Sequence, residues 1–481
     1  MRVFRPVFFV CGVLGLTMAS LMFVVASYSW WLDDGEALIF AKSGITVTAI
    51  SLVLAIPGVF KDFAPTTRQL YLITTLSWVS LSLFASLPFV WSDFGIGFTD
   101  AVFEAVSGIT TTGSTVLVGL RYYPPSILLW RSLLQWLGGL GVIGMAIAIL
   151  PFLRVGGMRL FQAESSDWSE KSLPRFQSIA KTLWLVYTLL TLSAVFAYHA
   201  VGMSWFDALN HAMTTVSTGG FSTDDASMGQ FGVGALWVST LFMFLGGVPF
   251  TLYIRLLTQK RISSLKDQQA ISYLLIVLGL VLLLTAQQWI QGTESLFAAL
   301  TSSTFHIVSV LTTTGYAATD YTTWGTFSIA FFFFVMFIGG CSGSTSGGLK
   351  IFRFELSWLF LKEQVFRLVH PSAIVALKYN GKPVSDDVMS SAIAFSFLFF
   401  LTLAFATMAL SVTGLDVVTS LTGAATALTN VGPGLGDVIG PAGNFSTLHD
   451  VAKLILCATM ILGRLELLTV IVVFTPIFWR G

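Results

Sequence analysis

The chain has 481 residues, 55% of them hydrophobic and only 10% charged, with a mean hydropathy of +0.82. Soluble domains carry about 25% charged residues, so this composition belongs to a polytopic membrane protein and excludes most soluble-enzyme readings. A formal charge of +1 leaves no global basic face for nucleic acid. Cys11, Cys341 and Cys457 stand apart, which excludes a disulfide framework or a CxxC-type metal site, and the histidines show no HExxH-like spacing.

At the N-terminus Arg2 and Arg5 precede an apolar run from about Phe8 to Trp31. A signal-peptide core spans roughly 7–15 residues, so this longer run reads as a first membrane helix. Stretches long enough to cross a bilayer, about 20 residues each, lie near 7–31, 42–60, 69–92, 126–152, 180–202, 232–257, 270–290, 326–361, 388–413 and 451–479. Between them sit four shorter segments, near 98–112, 204–219, 294–314 and 416–431, each ending in hydroxyl residues and a glycine. They read as re-entrant half-helices.

Charge placement orients the chain. Arg2, Arg5, Lys61, Arg68, Arg154, Arg159, Lys171, Arg175, Lys181, Arg255, Lys260, Arg261, Lys266, Lys350, Arg353, Lys362, Arg367, Lys378, Lys382 and Arg480 follow alternate spans. These are 20 of the 25 Lys and Arg residues, and the positive-inside rule makes their side cytoplasmic, with both termini there. Lys42, Arg121, Arg131 and Lys453 fall toward the other side, beside Asp33, Asp34, Glu36, Asp93, Asp100, Asp207, Asp224, Asp225, Glu294, Asp320, Asp416 and Asp437. The short segments thus enter from outside, under a rim that concentrates cations; for any single carboxylate, ordinary loop solvation is the simpler account.

The segments ITTTGST (109–115), VSTGGFS (216–222), LTTTGYA (311–317) and LTNVGPG (428–434) stack on Gly113, Gly220, Gly315 and Gly432. Three residues before each glycine stands Thr110, Ser217, Thr312 or Thr429, and six before it Ser107, Thr214, Ser309 or Thr426. A second register follows: Leu137-Gly138-Gly139, Leu245-Gly246-Gly247, Ile338-Gly339-Gly340 and Leu462-Gly463-Arg464. Small residues in membrane helices often serve close packing alone, but four copies in two registers point to a four-fold pore. A K⁺ ion must exchange its hydration shell for oxygens, which backbone carbonyls supply, and glycine lets those carbonyls turn inward. The preceding hydroxyls either add oxygens or brace the loop. Residues 339–350, GGCSGSTSGGLK, cannot sustain a helix; no GxxxxGK[ST] phosphate loop can be read from them.

These residues resemble the Trk/Ktr/HKT superfamily of K⁺ uptake proteins, from about residue 65 to the C-terminus, and the full length resembles its bacterial TrkH/TrkG branch. The resemblance implies an all-α polytopic membrane protein: four membrane helix–pore loop–membrane helix repeats around a central pore, plus two extra N-terminal helices. The units are then 1–64 (two N-terminal helices), 65–160, 161–262, 263–370 (with an intramembrane gating loop) and 371–481. It implies a filter of Thr111, Thr112 and Gly113; Thr218, Gly219 and Gly220; Thr313, Thr314 and Gly315; and Asn430, Val431 and Gly432. Glycine at all four filter places resembles K⁺-selective members. The implied gate comprises Gly339, Gly340, Cys341, Ser342, Gly343, Ser344, Thr345, Ser346, Gly347, Gly348 and Lys350, together with Arg464, which reaches into the pore against the loop.

The transported ion is then K⁺ (and Rb⁺), with no organic cofactor in this chain. The implied setting is a homodimer in the bacterial inner membrane, with a pore in each protomer and cytosolic nucleotide-binding subunits of TrkA type. Glu466 either pairs with Arg464 or faces another helix; Lys350 and Arg353 either meet a regulatory partner or orient the chain. His211 and His306, both nine residues before a filter glycine, read as buried packing residues. A symporter coupling K⁺ to H⁺ or Na⁺ is the alternative and needs a carboxylate within a span. A voltage-gated channel is disfavoured because no helix carries arginine at every third position. A membrane enzyme lacks paired acids, a histidine cluster or a nucleophile.

Overall fold

The computed structural model describes residues 3–56, 66–148, 173–259, 267–292, 295–372 and 376–480. Of the residues used above, Arg2, Lys61, Arg154, Arg159, Lys171, Lys260, Arg261, Lys266 and Glu294 lie outside these ranges, as do the unit boundaries near 64, 160 and 262. The described chain is nearly all helical. In order come α1 (Arg5–Leu32), α2 (Ala37–Ala55), α3 (Thr67–Trp91), α4 (Phe98–Ile109), α5 (Pro125–Ala148), α6 (Leu173–Ala200) and α7 (Trp205–Val216). Then follow α8 (Val233–Gly246), α9 (Phe250–Gln259), α10 (Gln268–Ile290), α11 (Leu296–Leu311), α12 (Thr326–Val335) and α13 (Ile351–Val369). A two-residue hairpin pairing, Lys378–Tyr379 with Lys382–Pro383, leads to α14 (Asp386–Val412), α15 (Val417–Thr429), α16 (Asp450–Arg464), α17 (Leu467–Ile471) and α18 (Pro476–Arg480).

Seven of these helices (α1, α2, α3, α5, α6, α10 and α14) are long and apolar enough to cross a bilayer. Two expected spans are not straight. The stretch at 232–257 bends by 83° between α8 and α9, and the stretch at 451–479 bends by 111° after Arg464. At the first bend Gly246, Gly247 and Pro249 interrupt the helix, and Pro249 has no N–H to donate to the ladder. At the second, Glu466 takes a left-handed φ of 60°. The expected span at 326–361 is likewise divided: α12 ends at Val335, and irregular chain runs to α13.

Of the four short helices α4, α7, α11 and α15, the last three begin at a capping side chain, while α4 follows Gly97. Ser204, Ser295 and Asp416 each cap one, accepting from Asp207 N at 3.0 Å, Ala298 N at 3.3 Å and Thr419 N at 3.1 Å. Their C-terminal ends are buried together at the centre. Each helix therefore directs its negative dipole end inward.

The N-terminal hairpin packs beside this assembly. Gly12 of α1 lies against the backbone of α2: a Cβ there would meet Ser51 O at 2.6 Å and Ala55 N at 2.8 Å. Close backbone approach at small residues is how helices associate where lipid removes the hydrophobic drive. Asp34, in the turn, accepts from Ser126 N at 3.0 Å and so ties the hairpin to α5. We predict that Gly12→Leu destabilises the detergent-solubilised protein by about 1–3 kcal/mol through overpacking, read as a lowered melting temperature; an unchanged melting curve would contradict this helix contact.

Candidate functional site

The chain leaves each short helix by the same backbone turn. Thr111, Thr218, Thr313 and Asn430 have φ of 52°, 51°, 59° and 57°, and the glycines two residues on, Gly113, Gly220, Gly315 and Gly432, have φ of 87°, 78°, 80° and 112°. A left-handed threonine is costly and persists only where its surroundings hold it. The holding contact recurs: Thr112 N, Gly219 N, Thr314 N and Val431 N donate to the carbonyls of Ser107, Thr214, Ser309 and Thr426 at 2.9, 2.8, 2.8 and 3.1 Å. The hydroxyls of Thr110, Ser217, Thr312 and Thr429 bond back to their own helices, so they brace the turn rather than offer oxygens to an ion.

The four turns close on one another in a ring. A Cβ at Gly113 would collide with the carbonyl oxygen of Gly219, one at Gly220 with that of Thr314, and one at Gly315 with that of Val431. At Gly432 it would meet Thr112 O at 2.8 Å, which returns the ring to its start. The diagonal carbonyl of Thr314 lies 3.6 Å from the Cβ position of Gly113, so the ring is narrow. No side chain larger than hydrogen fits at these glycines without displacing backbone.

The second glycine register lies behind the ring. Gly138, Gly246 and Gly463 pack against the carbonyls of Ile109, Val216 and Leu428, each four residues before its filter glycine. Gly339 departs from this pattern and faces Gly347 O instead, because its helix has already ended.

Braces fasten the chain beyond each glycine, and sequence reasoning missed several. Glu104, buried in α4, accepts from Val116 N at 3.1 Å and Thr115 Oγ1 at 3.0 Å, and it pairs with buried Arg131 at 2.7 Å. Arg131 also donates to Ser222 O at 2.8 Å and covers the Phe221 ring at 4.1 Å. Gln135 spans the next joint, donating to Gly219 O at 2.7 Å and accepting from Phe221 N at 3.0 Å. His211 Nε2 lies 3.0 Å from Ser222 Oγ, and His306 Nε2 accepts from Ala318 N at 3.1 Å. Glu104, His211 and His306 occupy the same register, nine before the glycine; Gly423 stands there in α15, and Thr422 beside it accepts from Leu435 N at 3.1 Å. Stacking that position across the segments would have found Glu104. Tyr316 reaches the hydroxyls of Thr214 and Thr215 in α7.

The acidic rim is largely engaged in structure. Asp100 pairs with Lys453 at 2.6 Å, Asp224 with Arg121, and Asp225 accepts from Gly119 N and Leu120 N. These three carboxylates are tied into ion pairs and backbone hydrogen bonds rather than simply solvated. A cavity of about 260 Å³ opens on that side and touches Gly113, Gly220, Gly315 and Gly432.

On the opposite side lies the buried loop 339–350. Its base is closed by Gly339 N to Leu349 O at 2.8 Å and Leu349 N to Phe337 O at 3.1 Å. It docks into the break between α8 and α9: Cys341 N donates to Gly247 O at 2.9 Å, Thr345 N to Gly246 O at 3.2 Å, and Phe250 N to Gly343 O at 2.9 Å. Three further contacts reach the ends of α7, α11 and α15. Thr345 Oγ1 donates to Val216 O at 3.1 Å, Gly347 N donates to Thr313 Oγ1 at 2.6 Å, and a Cβ at Gly347 would strike Thr429 O.

Arg464 is not in mid-helix; it closes α16, where a cation suits the helix end. Its Nη2 donates to Thr345 O at 2.9 Å. Glu466 pairs with Arg353, not with Arg464, and Lys350 Nζ donates to Ser346 O. Removing one partner of a buried ion pair leaves a charge uncompensated. Arg131→Leu is therefore expected to cost about 3–5 kcal/mol, with Glu104→Leu/Arg131→Leu recovering part of it in detergent unfolding; equal loss in single and double variants would contradict the pairing.

Residues 39–480 match the family described as TrkH, cation transport protein. The chain is 49% identical, over 487 residues, to the Trk system potassium uptake protein TrkI of Halomonas elongata, covering 100% of this chain and 98% of that one. It is 35% identical over 483 residues to the Trk system potassium uptake protein TrkH of Escherichia coli, covering 99% of each. The crystal structure of the potassium transporter TrkH from Vibrio parahaemolyticus matches with a TM-score of 0.92 at 33% identity, over 99% of this chain and 100% of that one.

Proposed function

The chain belongs to the TrkH family of cation transport proteins, and on that premise we propose that it is the K⁺-translocating subunit of a Trk-type uptake system. The observation that carries this reading is the closed ring, in which every filter glycine abuts a carbonyl of the next segment. K⁺ exchanges its water for backbone oxygens of Thr111–Gly113, Thr218–Gly220, Thr313–Gly315 and Asn430–Gly432, which hold it without trapping it as a carboxylate would. The inward dipole ends of α4, α7, α11 and α15 add negative potential where the ion sits. The four pore units are taken as 65–160, 161–262, 263–370 and 371–481, with 1–64 as an added pair of helices.

Loop 339–350 is the gate in this account. It joins the ends of three filter segments through Val216, Thr313 and Thr429, and Arg464 clasps it at Thr345. An arginine beside the pathway raises the barrier to a cation, and its hydrogen bond holds the loop in place. The chain sits in a bacterial inner membrane with both termini cytoplasmic. It works as a homodimer whose cytosolic nucleotide-binding partners, of TrkA type, act on the loop from the cytoplasmic side.

Gly113→Ser is expected to lower K⁺ over Na⁺ discrimination by about tenfold, equivalent to ~1.4 kcal/mol of differential stabilisation. Paired flux assays of K⁺ and Na⁺ in liposomes measure it, and unchanged selectivity would remove Gly113 from the filter. Arg464→Ala, or deletion within 341–348, is expected to raise basal K⁺ flux in the absence of any partner protein. Flux equal to wild type in both variants would rule out the gate.

A further inference from the structure

Beneath the loop lies a second cavity, of about 40 Å³, whose charged lining residues are Lys350, Arg353, Arg464 and Glu466. Among the described residues that line it, three cations thus face a single carboxylate, and that carboxylate is already taken by Arg353. Lys350 and Arg464 meet only neutral oxygens in their hydrogen bonds, Ser346 O and Oγ for the first and Thr345 O for the second. Carbonyls orient a cation but cancel none of its charge. Arg464 is 4% exposed and Arg353 2%, and the Nε of each has no hydrogen-bond partner. Buried charges are ordinarily paired, because removing them from water is costly. An excess of buried positive charge beside a cation pathway calls for a counter-charge from solution.

We propose that this cavity binds a small inorganic anion of halide size, held by Lys350, Arg353 and Arg464. The volume exceeds the roughly 10–15 Å³ that one water needs, so it admits a chloride with little remaining water. It is far below the several hundred Å³ of sites that enclose larger ligands, which excludes a nucleotide. Ser344, Ser346 and Gly347 form a wall of small side chains, which leaves room for the ion beside the cationic heads. The anion competes with the Ser346 and Thr345 carbonyls for the same ammonium and guanidinium donors. Its occupancy therefore loosens the clasp on the loop and screens the positive barrier to K⁺. That consequence, though not the binding itself, rests on the reading of 339–350 as the gate.

The test uses the full chain in detergent, with chloride as the probe, followed by ³⁵Cl NMR line broadening. Wild-type protein is expected to broaden the chloride line in a saturable way. Lys350→Gln, with its fold checked by the monodispersity of the purified protein, loses most of that broadening, and Lys362→Gln, exposed on α13, the helix that Lys350 precedes, retains it. Absence of saturable broadening in wild type, or equal broadening in Lys350→Gln, overturns the proposal. In liposomes, K⁺ flux is expected to be several-fold higher with chloride than with gluconate on the loop side. Saturable, Lys350-dependent broadening with equal flux in the two salts supports the site and overturns the gate instead.

Discussion

Everything in this molecule depends on four places where a glycine Cα touches the carbonyl of the next segment. Backbone at membrane depth must satisfy its polar groups internally or line a wet cavity, and here the chain leaves four helices at their buried ends. The left-handed turns at Thr111, Thr218, Thr313 and Asn430 make that possible. They put Gly113, Gly220, Gly315 and Gly432 so close to one another's neighbours that no Cβ fits. Strain of this kind survives only when its surroundings over-determine it. The bracing side chains, Glu104 with Arg131, Gln135, His211, His306, Thr422 and Tyr316, supply that support from outside the ring.

The same requirement explains the loop. Breaking the helix at Gly246–Pro249 frees carbonyls that water cannot reach, and loop 339–350 satisfies them through Cys341 and Thr345. The two irregular stretches are complementary, each supplying the other's missing partners. This mutual docking places the loop against the ring of turns, and the turn after Arg464 brings a cation to its edge.

Much of the architecture was legible in the sequence because it depends on period and spacing. The glycine register, the hydroxyls three and six residues before it and the second glycine pair are local, and local patterns repeat visibly when four copies lie in one chain. The bends at 246–250 and 464–467 were read as continuous apolar spans, since hydropathy averages over a break of a few residues. Gly246-Gly247 and Pro249 were visible, but whether they kink or stop a helix depends on the loop that docks there. The Glu104–Arg131 pair was missed because its partners lie 27 positions apart, one in a short segment and one near the end of a span, and no local spacing links them. Pairing with Arg464 or facing another helix were the two readings open for Glu466, and neither points to Arg353, which only the bend after Arg464 brings within reach.

The central claim is that a ring of backbone turns selects K⁺, and the most direct measurement is uptake of radioactive Rb⁺ into liposomes holding the purified chain. Trapped K⁺ or trapped Na⁺ would supply the gradient. The account predicts accumulation with trapped K⁺ and little with trapped Na⁺, since only an ion that passes the ring can leave and draw Rb⁺ inward. Equal accumulation with either ion inside would contradict it, because the pathway would then conduct cations without selecting among them.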